Sequence, residues 1–299
     1  MNKQIKIITP DTFVDNFIFG LPAHYQFQNS PIQLYDIKFI SKYIKTPTPL
    51  FRPNFNFVVH ITNGNAKQQV DTELIEMSAH SVLLIRQGHI TAIQNIDKNV
   101  TGHFILFENE TLNNLLSKQE LTQLFSSNSF IQLTQQDSQW LTNLFELLGN
   151  EIGQVKVNLS ICYSLFQAAL QKILASNNGE NKKLNRSGEL TFSFKELLYE
   201  HHIKHKTVSF YASQLAVSEN YLNRCIKQST GKAPKELISE ISILQSQLLL
   251  QDFTKQISEI AFELNYEDPS HFGRLFKNII GITPTEYRAS IMQDLSEQR

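Results

Sequence analysis

A chain of 299 residues with 41% hydrophobic content is long enough for two domains with buried cores. Its net charge of −1 excludes binding to nucleic acid through overall basicity, so any such contact must come from charge segregated along the chain. MNKQIKIITP lacks the apolar run of a secretory signal, no apolar run is long enough to span a bilayer, and Cys162 and Cys225 fall in apolar helical patterns as buried thiols; together these predict a cytoplasmic protein.

Residues 1 to about 110 run as short apolar stretches broken by turn residues. FNFVVHIT, VLLIRQ, HITAI and GHFILF read as strands, separated by NGNA, Gln87–Gly88 and IDKNVTG. Many short strands without helical periodicity predict a sandwich or small barrel. A small apolar barrel can hold one ligand, oriented by a few polar groups. His60 and Arg86 interrupt otherwise apolar strands and are the candidate ligand contacts; the competing expectation puts both on the outer face of the sheet. No G-x-S-x-G elbow, P-loop or GxGxxG fingerprint occurs, so the sequence names no catalytic residue and no cofactor.

From Thr111 to about Ser176 the period becomes helical. TLNNLLSKQELTQLF predicts one short helix. SQWLTNLFELLGNEI carries Leu141, Leu144, Phe145, Leu148 and Ile152 at helical spacing, and NLSICYSLFQAALQKIL carries Leu159, Cys162, Phe166, Ala169 and Ile173. SNNGENKKLNRSGE is poor in apolar residues and reads as a flexible linker, which divides the chain into 1–176, a linker at 177–189, and 190–299.

The last segment contains an internal repeat. VSFYASQLAVSENYLNRCIKQSTGKAPKEL matches ISEIAFELNYEDPSHFGRLFKNIIGITPTEYR position by position. Ala212 answers to Ala261 and Leu215 to Leu264; past one extra turn residue in the second copy, Leu222 answers to Phe272, Arg224 to Arg274, Lys227 to Lys277, Gly231 to Gly281 and Pro234 to Pro284. Each copy predicts helix, short turn, helix, with a small residue where two helices approach. Asp268 can cap the second helix and Pro269 fits its first position. SEISILQSQLLL predicts a long helix joining the two copies.

Only outward side chains near the start of a recognition helix reach base edges in the major groove. In the first copy Leu222, Cys225 and Ile226 point inward, leaving Asn220, Asn223 and Arg224 toward bases and Lys227 toward phosphate. In the second, Phe272, Leu275 and Phe276 point inward, leaving Ser270, His271 and Arg274 outward and Lys277 for the backbone; Gly273 predicts that this copy reads fewer bases. Charge is segregated accordingly. Arg224, Lys227, Lys232 and Lys235 lie in a stretch free of acids, whereas Glu236, Glu240, Asp252, Glu259, Glu263, Glu267 and Asp268 lie elsewhere.

At these motifs the chain resembles the DNA-binding domain of bacterial transcription regulators of the AraC/XylS family, over roughly its last third. It departs from the family pattern at Asn265–Tyr266, where Gly-Phe is usual, and at Ser242, where the joining helix usually opens with Arg. The resemblance implies an all-α C-terminal domain with two helix-turn-helix motifs that binds double-stranded DNA, and it places the family's base-contacting positions on the residues just named. It implies further that residues 1–176 form an all-β, cupin-like barrel followed by helices. Such a domain takes a small-molecule effector and dimerises through the helix pair at 137–175, with RNA polymerase a possible further partner. Metal-dependent cupins need an HxH pair on one strand; none occurs here, and His60, His80, His89 and His103 are scattered, so no metal is expected. Two other readings share the pattern: a constitutive DNA-binding regulator with a purely structural barrel, and a cupin enzyme fused to a DNA-binding domain.

Overall fold

The computed structural model describes residues 7–20, 22, 30–117, 120, 121, 123, 124, 129–177 and 186–297. The chain divides into two compact units, Met1–Lys183 and Leu184–Arg299.

The first unit opens with β1 (Ile7–Ile8) and α1 (Pro10–Phe17), then β2 (Ile32–Asp36) and the short α2 (Ile37–Ile40). A run of strands follows: β3 (Arg52–Pro53), β4 (Asn56–Asn63), β5 (Ala66–Val70), β6 (Glu73–Met77), β7 (Ser81–Ile85), β8 (Thr91–Ile96) and β9 (Thr101–Phe107). After α3 (Asn109–Leu115), β10 (Phe130–Gln132) leads into α4 (Gln135–Ile152) and α5 (Leu159–Asn177). The strands build two antiparallel sheets, ordered β10-β7-β4-β9-β2 and β6-β5-β8, and β1 pairs with β3 in a short parallel one.

Strand residues alternate between faces, and in the larger sheet both faces are covered. Phe57, Ile61, Leu83, Ile85 and Leu106 pack inward against Ala66, Val70 and Met77 of the smaller sheet. Val58, Val82, Leu84, Ile105 and Phe107 pack outward against Leu141, Phe145, Leu148, Phe166 and Ile173 of α4 and α5. Two covered faces explain why β4, β7 and β9 stand out as continuous apolar runs. Strands β5 (AKQQV) and β6 (ELIEM) line one face only and carry Gln and Glu, so the sequence reading passed over them; it also missed β2 and β10.

The apolar stripes of α4 and α5 are therefore used within the chain. Leu148 and Phe166 face the sheet, while Trp140, Leu147, Leu159 and Ile161 are exposed. Asp137 and Lys172 join the two helices by an ion pair at 2.5 Å. Where β9 crosses β4, a Cβ on Gly102 would lie 1.9 Å from the His60 carbonyl oxygen, and φ there is +148°, so only glycine fits. Part of the helix expected at 111–125 and most of the expected linker lie outside the described residues; Arg186–Glu189, read as linker, form the first turn of the next helix.

The second unit is helical: α6 (Arg186–His201), α7 (Val208–Gln214), α8 (Glu219–Thr230), α9 (Pro234–Leu250), α10 (Ile257–Glu263), α11 (Pro269–Ile280) and α12 (Pro284–Glu297). Along α9 the side chains of Ile238, Ile241, Ile243, Leu244, Leu248, Leu249 and Leu250 are all buried, and α9 touches α8 on one side and α10 and α11 on the other. A helix apolar nearly all round is an internal strut.

Candidate nucleic-acid interface

The sequence repeat is a structural repeat. Helices α7 and α10 each end in a residue whose N–H returns into its own last turn, followed by a left-handed residue: Ala216 at φ 53° and Asn265 at φ 59°. The next N–H closes the turn on the small helix residue, Val217 onto the Ala212 carbonyl at 3.0 Å and Tyr266 onto that of Ala261 at 2.9 Å. Ala212 and Ala261 are buried, as close helix approach requires.

The second helix of each motif is built alike. Ser218 caps α8, its Oγ accepting from the Tyr221 N–H at 3.3 Å, and Asp268 caps α11, accepting from Ser270 at 2.8 Å. Both helices end on a left-handed glycine, Gly231 and Gly281, whose N–H groups bond the carbonyls of Lys227 and Lys277. Leu222, Cys225 and Ile226 are buried under α8, and Phe272 and Phe276 under α11, with Leu275 half-buried.

That packing decides what faces solvent. Asn220, Arg224 and Lys227 are exposed on α8, and Ser270, His271, Arg274 and Lys277 on α11. Asn223 is half-buried, and its Nδ2 donates to the Glu219 carbonyl at 2.9 Å, so its amide lies along its own helix rather than projecting outward. The sequence reading passed over Tyr221, whose ring lies 5.1 Å from the Arg224 guanidinium carbon on the same surface. An aromatic three residues before an arginine on a helix was the available signal.

The electrostatics of the two surfaces differ. The cap of α8 is a neutral hydroxyl, with the exposed Glu219 carboxylate next to it in the first turn. The cap of α11 is a carboxylate, held below the usual range by the Ser270 backbone N–H and, more weakly, by the nearby Arg274 charge.

In the first unit, an apolar cavity of about 600 Å³ of empty space, part of it open to solvent, lies between the two sheets and α2. Phe13, Ile40, Phe57, Val59, Ile61 and Phe104 are among its lining residues, and Ser41 and Gln68 are the polar ones. His60 and Arg86 are not in this lining. Val59 and Ile61 point into the cavity, so His60 between them points the other way. The face is the outer one, but α4 covers it: His60 is fully buried, with Nε2 2.9 Å from Ser138 Oγ. It stacks on its register partner His103 with centroids 5.7 Å apart. Burial, with His103 and His80 nearby, pushes the His60 pKa down to about 3. Arg86 is half-buried just beyond β7. His89 bonds Asp71 at 2.6 Å in a loop. Among the described residues no group of three or more His, Cys, Asp or Glu is placed to hold a metal ion, and no helix is long and apolar enough to cross a membrane.

A helix-turn-helix domain family matches residues 211–290, the span of both motifs. The chain is 25% identical over 256 residues to the HTH-type transcriptional activator RhaR of Mannheimia succiniciproducens, covering 84% of this chain and 91% of that one. It is 24% identical over 251 residues to the Msm operon regulatory protein of Streptococcus mutans, covering 80% and 86%. Over residues 211–290 the chain carries a helix-turn-helix domain of the AraC type. The relatives it matches along most of their length are transcription regulators. Its two-domain fold is similar to that of ToxT from Vibrio cholerae, solved with an unsaturated fatty acid bound: TM-score 0.45, 17% identity, 88% of this chain and 97% of that one.

Proposed function

We propose that this chain is an AraC-family transcription regulator that places α8 and α11 in successive major grooves of one operator, about 34 Å apart. The observation that carries the reading is the pair of equivalent recognition helices on one buried strut, α9, each presenting an exposed arginine and an exposed lysine at matching positions. Asn220, Arg224, Ser270, His271 and Arg274 read bases; Lys227 and Lys277 hold phosphates; Tyr221 joins Arg224 at the first surface. Genomic fragments selected by the purified chain test it. Hydroxyl-radical footprints should show two protected stretches one helical turn apart, and a single protected stretch would refute the two-groove reading.

The barrel cavity is the effector site in this reading, and its lining argues for a small, uncharged and mainly apolar molecule. Among the described residues no charged side chain lines it, and only Ser41 and Gln68 offer polar contacts. An ion left unpaired there would meet a large desolvation cost. A ligand at a hundred times its dissociation constant stabilises the fold by about 2.7 kcal/mol, so a thermal-shift comparison of neutral apolar compounds with sugars and organic acids has ample signal. A true effector must also change operator affinity, since equal binding to both states shifts nothing. Preference for sugars would overturn this class.

The chain acts as a cytoplasmic homodimer in the same reading, joined through the exposed apolar residues Trp140, Leu147 and Ile161 of α4 and α5. Leu147→Asp should give a folded monomer by sedimentation. A wild type already monomeric at micromolar concentration would remove the dimer.

A further inference from the structure

The two family departures read separately in the sequence, Ser242 and Tyr266, touch each other. Ser242 Oγ and Tyr266 Oη are 3.0 Å apart, and both side chains are buried. A third residue, from outside either repeat, completes the contact. Lys206 lies in the segment between α6 and α7; its Nζ donates to Ser242 Oγ at 3.0 Å and to the His202 carbonyl at 3.3 Å, and sits 4.3 Å from the centre of the Tyr266 ring. The ammonium thus meets a hydroxyl, a carbonyl and an aromatic face, all of which favour a cation. One residue before Tyr266, Asn265 Nδ2 bonds the Lys204 carbonyl at 3.3 Å.

These contacts have a direction. Residues 202–206 lead into the first helix-turn-helix, Ser242 belongs to the strut, and Asn265–Tyr266 form the turn of the second motif. From that turn the Tyr266 ring packs on Phe272 with centroids 5.4 Å apart and lies 6.0 Å from His271, both at the start of the second recognition helix. At the matching place in the first turn stands Val217, which has no polar group, so the contact is not generated by the repeat.

We propose that Lys206 is a positioning residue which, through Ser242 and Tyr266, fixes the spacing at which the two recognition helices meet DNA. Burial supports the arrangement: it holds the Lys206 pKa down at about 8, the mark of an ammonium largely withdrawn from water. The proposal rests on the reading that both helices engage one operator.

The test uses the full chain and a selected operator, intact or with one base pair inserted between the two contacted stretches. Lys206→Met keeps the aliphatic stem and removes the charge and donors; Tyr266→Phe keeps the ring and removes the hydroxyl. Wild type should lose at least about tenfold in affinity on insertion. Loss of the cation–aromatic contact in Lys206→Met corresponds to about 3- to 30-fold weaker binding of the intact operator, and loss of the Ser242–Tyr266 hydrogen bond in Tyr266→Phe to about 2- to 12-fold. Each variant should also tolerate the insertion markedly better than wild type, while binding a duplex with one contacted stretch as wild type does. The double variant should lose less than the product of the two single losses. A merely destabilising change would weaken all three duplexes alike and leave the spacing penalty intact, which would overturn the proposal. A wild type indifferent to the insertion would instead overturn the two-groove reading and the proposal with it.

Discussion

Ala216 and Asn265 hold the same left-handed conformation, Gly231 and Gly281 end their helices alike, and yet the two surfaces turned to solvent are not copies. The first recognition helix has a Ser218 cap with Glu219 in its first turn, and an Arg224 backed by the Tyr221 ring. The second has an Asp268 carboxylate at its cap, within electrostatic reach of Arg274, and Gly273 in place of a side chain. A ring beside Arg224 limits the conformations that arginine must give up on binding, whereas Gly273 offers the bases no side chain. The comparison teaches that the backbone repeat conserves presentation while leaving the strength of each contact to a few side chains: the first helix should grip, the second should discriminate weakly and depend on being held in register.

The largest effect should come from breaking the shared scaffold. Phe272 and Leu222 are both wholly buried at matching positions. Phe272→Ala should cost about 3–5 kcal/mol and Leu222→Ala about 2–5 kcal/mol in urea unfolding, and because α9 packs on both halves each should move one common transition. Two separate transitions would mean that the halves fold independently.

Next come the arginines. Arg224→Ala should cost about 1–3 kcal/mol at the selected operator and relax preference at one base. Arg274→Ala should cost less in the same titration, and equal losses would erase the difference drawn from Tyr221 and Gly273. Lys227→Ala and Lys277→Ala should weaken all sequences alike, each lowering the slope of log affinity against log salt by about one. Titrations at several salt concentrations separate this from base readout. The smallest effect lies in the turns. Ala216→Gly relieves a left-handed alanine and should raise stability by about 0.5–1 kcal/mol, whereas Asn265→Gly should do less, because asparagine tolerates that conformation. A thermal melt that ranks them the other way would show that the two turns are strained differently.

The second unit was legible because its signals are local: apolar residues at helical spacing, capping residues and left-handed turn positions all lie within one motif, and the motif occurs twice. Burial under α8 and α11 also follows from spacing alone, which is why the outward side chains could be named. The first unit was less legible. Its longest strands announced themselves because both faces are covered, but β5 and β6, carrying Gln68, Gln69, Glu73 and Glu76, look like loop. Whether His60 faces a cavity, solvent or a helix is set by strand phase against elements dozens of residues away, and no local pattern carries that. Lys206 was invisible for the same reason, since its partners Ser242 and Tyr266 lie 36 and 60 residues along the chain.

The stacked pair under α4 has a consequence for how the first unit meets acid. His60 and His103 are both held neutral by burial; Asp36 and Glu146 partly oppose this at His103, and His80 reinforces it at His60. With the folded pKa of His60 near 3 and an ordinary value of 6.5, the unfolded chain takes up protons first, so stability is full above pH 6.5 and falls as pH drops toward 3, by at most about 1.4 kcal/mol per pH unit for each fully withheld proton. Protonation would set two like charges side by side beneath α4, next to Ser138 and Phe145. The single tryptophan, Trp140, rides on that same helix, so mild acidification should be readable as a shift in its emission.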